Sequence, residues 1–110
     1  MASLPRVVVT GVGLVTPLGV GVTSTWRRLL NGECGVVSLA EDDDFRRLPC
    51  LLAAKVPRTA EGVRSEEDDG LLNESSHVTP SDRRTMSLST LYALIASGEA
   101  LNMAKVEKRR

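Results

Sequence analysis

The stretch that decides the fold runs Arg6-Val-Val-Val-Thr-Gly-Val-Gly-Leu-Val-Thr-Pro-Leu-Gly-Val-Gly21. Its first residues are β-branched and do not alternate with polar ones, a pattern typical of a strand buried on both faces. The glycines at 11, 13, 19 and 21 then interrupt regular structure, while apolar residues continue between them. The stretch therefore predicts a strand at 6–10, central in a sheet, followed by a buried and irregular connection.

A short amphipathic helix is predicted after this connection. One face of it carries Val22, Trp26, Leu29 and Leu30 at helical spacing, and Gly32 follows the last turn. Trp26 is expected to hold this helix against its neighbour. Farther on, the apolar run from Cys50 to Val56 predicts a second short strand that ends at Pro57.

A longer helix is predicted from Pro80 to about Met103. The segment Thr79-Pro-Ser-Asp82 supplies a capping hydroxyl, a proline at the first helical position and an acidic side chain in the first turn. The expected buried side consists of Met86, Leu91, Leu94, Ile95, Gly98 and Leu101. Small residues on this helix allow another backbone to approach closely: Ala93, Ala96, Ser97, Gly98 and Ala100. Between these elements, the acidic and weakly apolar stretch 57–79 is predicted to be a mobile loop.

Composition limits the function classes. The chain has 110 residues, 42% hydrophobic and 25% charged, which fits one small globular unit at most. Its 14 basic and 14 acidic residues cancel, so no overall basic surface favours nucleic acid as a partner. No apolar run reaches the roughly 18 residues of a membrane span. The three aromatic residues are few for a self-contained core, which indicates part of a larger assembly.

Local motifs for chemistry are weak. Gly11-Val-Gly13 follows a predicted strand as in a dinucleotide site, but Thr16 stands where the third glycine is needed and Pro17 where the helix should run. Cys34, Cys50 and the single histidine, His77, have no spacing typical of a metal site or a catalytic pair. The residues therefore predict no cofactor, no metal site and no catalytic residue.

Arg83 and Arg84 are candidates for a binding site. They fall in the first turns of the predicted long helix, where positive charge opposes the helix dipole. Either they meet an acidic partner, or they are an exposed pair without one.

Taken together, the opening stretch with Thr25-Trp26, Leu29-Leu30, Gly32 and Gly35 resembles the start of the elongating β-ketoacyl-acyl carrier protein synthases, which are thiolase-like condensing enzymes. Four segments resemble the mitochondrial members most: Leu14 to Gly21, Pro49-Cys50, Ala53-Ala54 and Val56-Pro57-Arg58. The segment from Asp82 to Leu101 resembles the helix that follows in the family. The resemblance weakens between 61 and 79 and ends at about Met103.

The resemblance implies an α/β fold, specifically the N-terminal part of a thiolase-like α/β/α/β/α sandwich that is incomplete in this chain, with residues 1–110 inside the synthase N-terminal domain. It implies condensation of acyl and malonyl thioesters with decarboxylation, by a homodimeric enzyme that uses one cysteine and two histidines. Neither cysteine of this chain, nor His77, matches those positions. Arg84, and more weakly Arg83, match basic residues with which bacterial relatives bind acyl carrier protein, although Ser87 replaces their usual aspartate.

Two functional hypotheses follow. The chain is the N-terminal part of a mitochondrial-type synthase, inactive alone. Alternatively, it is a truncated non-catalytic module that binds acyl carrier protein or a full-length subunit. A mitochondrial location is expected from the resemblance alone, with the cytoplasm as the alternative.

Overall fold

The computed structural model describes residues 2–59 and 70–106. In chain order these residues form β1 (Val15–Thr16), β2 (Gly19–Val20), α1 (Val22–Leu30), β3 (Val36–Ser38), β4 (Leu52–Ala54), a 3₁₀ turn (Glu74–Ser76), α2 (Pro80–Thr85) and α3 (Leu88–Met103). Helices and small sheets are thus both present, as an α/β fold requires. The complete sandwich stays a prediction.

The opening segment differs from the prediction. Residues 6–10 belong to no strand among the described residues, and Val7, Val8 and Val9 are 91%, 70% and 82% exposed. A strand needs a hydrogen-bonding neighbour, and the described parts of the chain place none beside this segment. The predicted buried strand is therefore wrong for the chain as described, and its apolar side chains lie open.

The glycine-bearing connection contains a tight hairpin. Strands β1 and β2 pair antiparallel, with Val15 opposite Val20 and Thr16 opposite Gly19. The Thr16 hydroxyl donates to the Gly19 carbonyl at 3.0 Å, which ties the two strands across the turn. Gly19 is buried and has a φ of 154°, in the region that favours glycine.

Before the hairpin, the same connection packs against α3 at backbone distance. A Cβ atom on Gly11 would lie 2.1 Å from the Ala100 carbonyl oxygen, and one on Gly13 would lie 1.8 Å from that of Ala96. Neither space admits a side chain. The predicted close approach of another backbone to this helix is confirmed at Ala96 and Ala100, whereas a Cβ atom on Gly98 would meet nothing within 4 Å.

Helix α1 forms where it was predicted, but its orientation is different. The expected inner face is open, because Trp26, Leu29 and Leu30 are 57%, 54% and 69% exposed. The buried residues are instead Ser24 and Thr25. Their hydroxyls donate to the carbonyls of the β2 residues Val20, at 2.7 Å, and Gly19, at 3.2 Å. Hydrogen bonding to the hairpin therefore sets the inward face, and the apolar stripe has no covering element among the described residues.

The second predicted strand is present and has a partner that the sequence did not indicate. Strand β4 lies inside the predicted run and pairs antiparallel with β3, from Val36 opposite Ala54 to Ser38 opposite Leu52. The pairing continues outside the strands, since the Leu39 amide donates to the Leu51 carbonyl at 2.7 Å.

The predicted long helix is two helices. The chain leaves helical geometry at Met86, whose φ and ψ are −102° and 141°, and α3 restarts with Ser87 as its N-cap. The Ser87 hydroxyl accepts a hydrogen bond from the Thr90 amide at 3.3 Å, so the restart is stabilised locally. Of the expected buried side, Leu91 and Ile95 are buried, whereas Leu94 and Leu101 are 49% and 43% exposed.

The core is small and lies where the C-terminal half meets the hairpin. Its buried centre is Leu72, Leu91 and Ile95, surrounded by partly buried Val15, Val20, Val56, Val78, Leu88 and Tyr92. The radius of gyration is 17.5 Å, against about 13 Å for a compact chain of this length. The open architecture agrees with the exposed apolar segments at both Val7–Val9 and α1.

Candidate functional site

The candidate site lies at the C-terminal end of α2. Thr79 caps the start of this helix by accepting a hydrogen bond from the Asp82 amide at 3.2 Å, while its hydroxyl donates to an Asp82 carboxylate oxygen at 2.7 Å. The helix ends at Thr85, so Arg83 and Arg84 lie in its last turn. Positive charge there is favourable to the helix dipole. The expectation that these arginines oppose the dipole is wrong because the helix ends at Thr85, directly after them, rather than continuing to Met103.

A carboxylate shared by two arginines holds this end of α2. Glu74, in the 3₁₀ turn, accepts hydrogen bonds from Arg58 Nη2 and Arg83 Nε through separate oxygens. The same Arg83 side chain donates through Nη1 to the Met86 carbonyl at 3.2 Å. Arg83 therefore bonds both to the neighbouring segment and to the residue that ends its own helix.

In this cluster the positive charges outnumber the negative one. The pKa of Glu74 is lowered from its ordinary value of 4.5, chiefly by the hydrogen bond from Arg83. Burial opposes this effect, and the hydrogen bond from Arg58 and the charges of both arginines lower the pKa further. Glu74 is therefore ionised at neutral pH. One carboxylate facing two guanidinium groups leaves the cluster with a net positive charge.

The cluster is anchored to the core through Leu72. Arg58 and Leu72 form a parallel β-bridge, in which the Leu72 amide donates to Pro57 at 2.8 Å and the Thr59 amide donates to Leu72 at 3.0 Å. Leu72 is 1% exposed. The segments that carry Arg58 and Glu74 are thus fixed on the buried part of the molecule. Both residues belong to the stretch 57–79, in which residues 60–69 lie outside the described residues; its mobility stays a prediction.

The two predicted site residues have different environments. Arg83 is partly buried and engaged by Glu74, whereas Arg84 is exposed. Within residues 2–59 and 70–106, no hydrogen bond or ion pair involves the Arg84 side chain. Of the two predicted site residues, Arg84 is therefore the one whose side chain is not engaged within these ranges. The sequence did not indicate Arg58 and Glu74 as site residues, because they are 16 positions apart and no pattern in the sequence shows that they form an ion pair.

A second carboxylate orders the glycine-bearing connection. Glu99 on α3 accepts the Leu14 amide at 2.9 Å through one oxygen and the Val22 amide at 2.8 Å through the other. Val22 is the first residue of α1, whose amide has no partner within its own helix. Glu99 therefore joins α3, the connection and the start of α1, and its role is structural.

The remaining polar candidates do not converge. Cys34 and Cys50 are free and exposed, and the Cys50 thiol makes a weak 3.8 Å hydrogen bond to the Leu52 carbonyl. His77 is exposed in the turn after Glu74–Ser76. In the described part of the chain, no group of three or more histidine, cysteine, aspartate or glutamate side chains could hold a metal ion. Gly11 and Gly13 face the α3 backbone, so their place in the structure is one of packing.

These features define part of an α/β domain that presents a basic helix end. Comparison with known proteins places it more closely. Residues 5–110 match the family model described as "Beta-ketoacyl synthase, N-terminal domain". The chain belongs to the β-ketoacyl synthase family and lies within its N-terminal domain.

Curated relatives agree with this membership. A mitochondrial 3-oxoacyl-(acyl-carrier-protein) synthase of Schizosaccharomyces pombe is 37% identical over 102 residues, covering 93% of this chain and 22% of the relative. The mitochondrial synthase of Arabidopsis thaliana is 68% identical over 38 residues, or 34% of this chain and 8% of that protein. The 3-oxoacyl-(acyl-carrier-protein) synthase 2 of Rhizobium meliloti is 32% identical over 96 residues, covering 87% and 21%. The chain therefore spans about a fifth of the length of the relatives matched along most of it.

Among the described residues, none of the helices has the length and apolar character that crossing a bilayer requires.

Proposed function

We propose that this chain is the N-terminal part of a mitochondrial-type 3-oxoacyl-acyl carrier protein synthase. The complete enzyme condenses an acyl and a malonyl thioester, with decarboxylation of the malonyl group, in fatty acid synthesis. The observation that carries the proposal is the similarity to the fission-yeast mitochondrial synthase along 93% of this chain. The names of the fission-yeast and Arabidopsis relatives support a mitochondrial location for the whole protein.

In this reaction the chain supplies structure and docking rather than bond chemistry. A condensing enzyme needs a cysteine poised as a thiolate and donors aimed at the enolate oxygen. The family's cysteine and two histidines have no counterpart among the residues that carry the resemblance. The chain alone is expected to be inactive. A mixture of purified chain with acyl and malonyl thioesters of carrier protein should release no more CO₂ than a blank; release above the blank would refute the inactivity.

Arg84 is the residue proposed to bind acyl carrier protein. Arg84 is exposed at the C-terminal end of α2, and its neighbour Arg83 is already paired with the Glu74 carboxylate. An acidic carrier would meet one unengaged guanidinium next to a cluster of net positive charge. Exposed charges at the edge of an interface change the association rate and the orientation of the partners more than they change the total affinity.

The test is a titration of the 110-residue chain into ¹⁵N-labelled mitochondrial holo-acyl carrier protein at low salt. Reversal of one exposed charge at an interface changes affinity by roughly 1 kcal/mol, so Arg84→Glu should weaken binding about fivefold or more. The matched control is Arg27→Glu, because Arg27 is likewise exposed in the last turn of a helix, α1. Equal affinities for the parent and Arg84→Glu chains would overturn the docking role.

The alternative is a truncated non-catalytic module that binds the carrier or a full-length subunit. Its supporting observation is the open apolar surface at Val7–Val9 and on α1. Sedimentation of the chain with a full-length mitochondrial synthase would separate the two ideas: a stable complex favours the module, and independent sedimentation favours the enzyme part. The homodimeric state of the complete enzyme stays a prediction of the resemblance.

A further inference from the structure

Glu74 and its two arginines form a connection between the core and the proposed docking residue. Glu74 bonds Arg58 on the segment that pairs with buried Leu72, and it bonds Arg83 at the end of α2. Arg84 follows Arg83 directly. The direction in which Arg84 leaves the helix therefore depends on how Arg83 is held.

The short length of α2 makes this support necessary. The helix has six residues, which is too short for stability without tertiary contacts. None of its residues is buried. The Thr79 cap stabilises its first turn, and the Arg83 bonds to Glu74 and to the Met86 carbonyl stabilise its last turn. The cluster is the contact that fixes the last turn against the rest of the molecule.

We propose that Glu74 is a positioning residue for carrier-protein docking: by engaging Arg83 and Arg58 it orders the end of α2 and leaves Arg84 as the arginine that meets the partner. This inference rests on the proposed docking role of Arg84. Glu74 does not itself touch the carrier, whose acidic surface it would repel. Its effect on binding is transmitted through Arg83 and the helix end.

This role makes a prediction whose sign differs from that of simple electrostatics. Glu74→Gln removes one negative charge, so the cluster passes from one net positive charge to two. If charge alone governed docking, the variant would bind the acidic carrier more tightly. If Glu74 acts by positioning, the variant binds more weakly, because glutamine keeps one acceptor oxygen and no charge, so it cannot hold both arginines and orders the last turn less firmly.

The experiment measures two quantities on the full chain: affinity for ¹⁵N-labelled holo-acyl carrier protein, and amide hydrogen exchange in residues 80–86. Loss of a partly exposed, shared ion pair should weaken binding by about threefold to tenfold and speed exchange in this segment by a similar factor. Glu33→Gln is the matched control, since Glu33 pairs with Arg28 elsewhere on the surface and its loss changes the total charge equally. That control should show unchanged exchange at 80–86.

The outcomes distinguish the two proposals. Equal or tighter binding by Glu74→Gln, beside weakened binding by Arg84→Glu, overturns the positioning role and leaves the docking role intact. An unchanged affinity of Arg84→Glu overturns the docking role itself. If Glu74→Gln fails to fold, Glu74→Asp makes the same test at constant charge, because the shorter aspartate side chain should not reach both arginines. An affinity of Glu74→Asp for the carrier equal to that of the parent would overturn the positioning role.

Discussion

The contact between Gly13 and α3 gives the sharpest test of the structure. In Gly13→Ala the new Cβ atom would lie 1.8 Å from the Ala96 carbonyl oxygen, 2.7 Å from the Ala96 carbonyl carbon and 3.0 Å from the Ala100 amide nitrogen. All three are backbone atoms of a helix, so no side-chain rotation relieves the overlap. To restore an ordinary carbon–oxygen contact, the two segments must separate by roughly 1.5 Å.

The expected cost follows from that separation. Overpacking typically costs about 1–3 kcal/mol, and a rigid backbone obstacle belongs at the upper end. The neighbouring Leu14 amide would also lose its 2.9 Å hydrogen bond to Glu99, which adds about 1 kcal/mol. We therefore expect Gly13→Ala to lower the free energy of unfolding by about 4 kcal/mol.

The same substitution at Gly98, which lies on α3 away from this contact, should have an effect of the opposite sign. Gly98 lies within α3, and a Cβ atom there would meet nothing within 4 Å. Gly98→Ala should raise the free energy of unfolding by up to about 1 kcal/mol through helix propensity. Urea denaturation followed by far-UV circular dichroism measures both variants. If Gly13→Ala unfolds within about 1 kcal/mol of the parent, the close packing of this segment on α3 is refuted.

Three variants test the carboxylates of Glu99 and Glu74. Glu99→Ala removes the acceptor of the Leu14 and Val22 amides and should lower the free energy of unfolding by about 2 kcal/mol. Glu99→Gln keeps one carbonyl acceptor and should lower it by about half as much. Equal losses in the two variants would contradict the arrangement in which each Glu99 oxygen accepts one amide. Glu74 has its pKa lowered in the folded chain, so its stabilising contribution is complete above the ordinary value of 4.5 and is lost as pH falls through the lower folded pKa. The difference in unfolding free energy between the parent and Glu74→Gln chains, measured at a series of pH values, should therefore shrink only on acidification below 4.5; a constant difference would show that Glu74 ionisation does not contribute.

Features encoded locally could be predicted from the sequence. The Thr79 cap, the first residue of α2 and the bounds of α1 within two residues all follow from side chains next to the backbone they bond. The small residues of α3 indicate where another backbone can approach, but not which segment does so. The cap, the helix start and the bounds of α1 depend on short-range chemistry that a single sequence contains.

Features that depend on distant partners were missed or reversed. Val7–Val9 has the pattern of a buried strand, but a strand forms only when a neighbour is present. The amphipathic pattern of α1 indicates which side chains are apolar and not which face the chain covers; hydroxyl bonds to the hairpin decided its orientation. The helix break at Met86 had one local signal, Ser87 as a second N-cap, outweighed by the continuous apolar spacing on both sides of it.

The residues proposed for docking also combine local and distant signals. Arg84 was indicated by family resemblance, but the distinction between an engaged Arg83 and an unengaged Arg84 needs the position of Glu74. Glu74 in turn needs Arg58 and the bridge to Leu72. Nonlocal ion pairs of this kind have no periodic pattern in the sequence.

The contacts between the glycine-bearing connection and α3 join residues that the ribosome makes at very different times. The Leu14 amide and its acceptor Glu99 are separated by 85 residues, and Val12 and the Met103 sulfur by 91. At about 5–20 residues per second, a ribosome needs on the order of 10 s to produce the second partner after the first. Throughout that interval the glycine-bearing connection has been made without the helix on which it packs. The glycine-bearing connection is therefore synthesised early and completes its packing late.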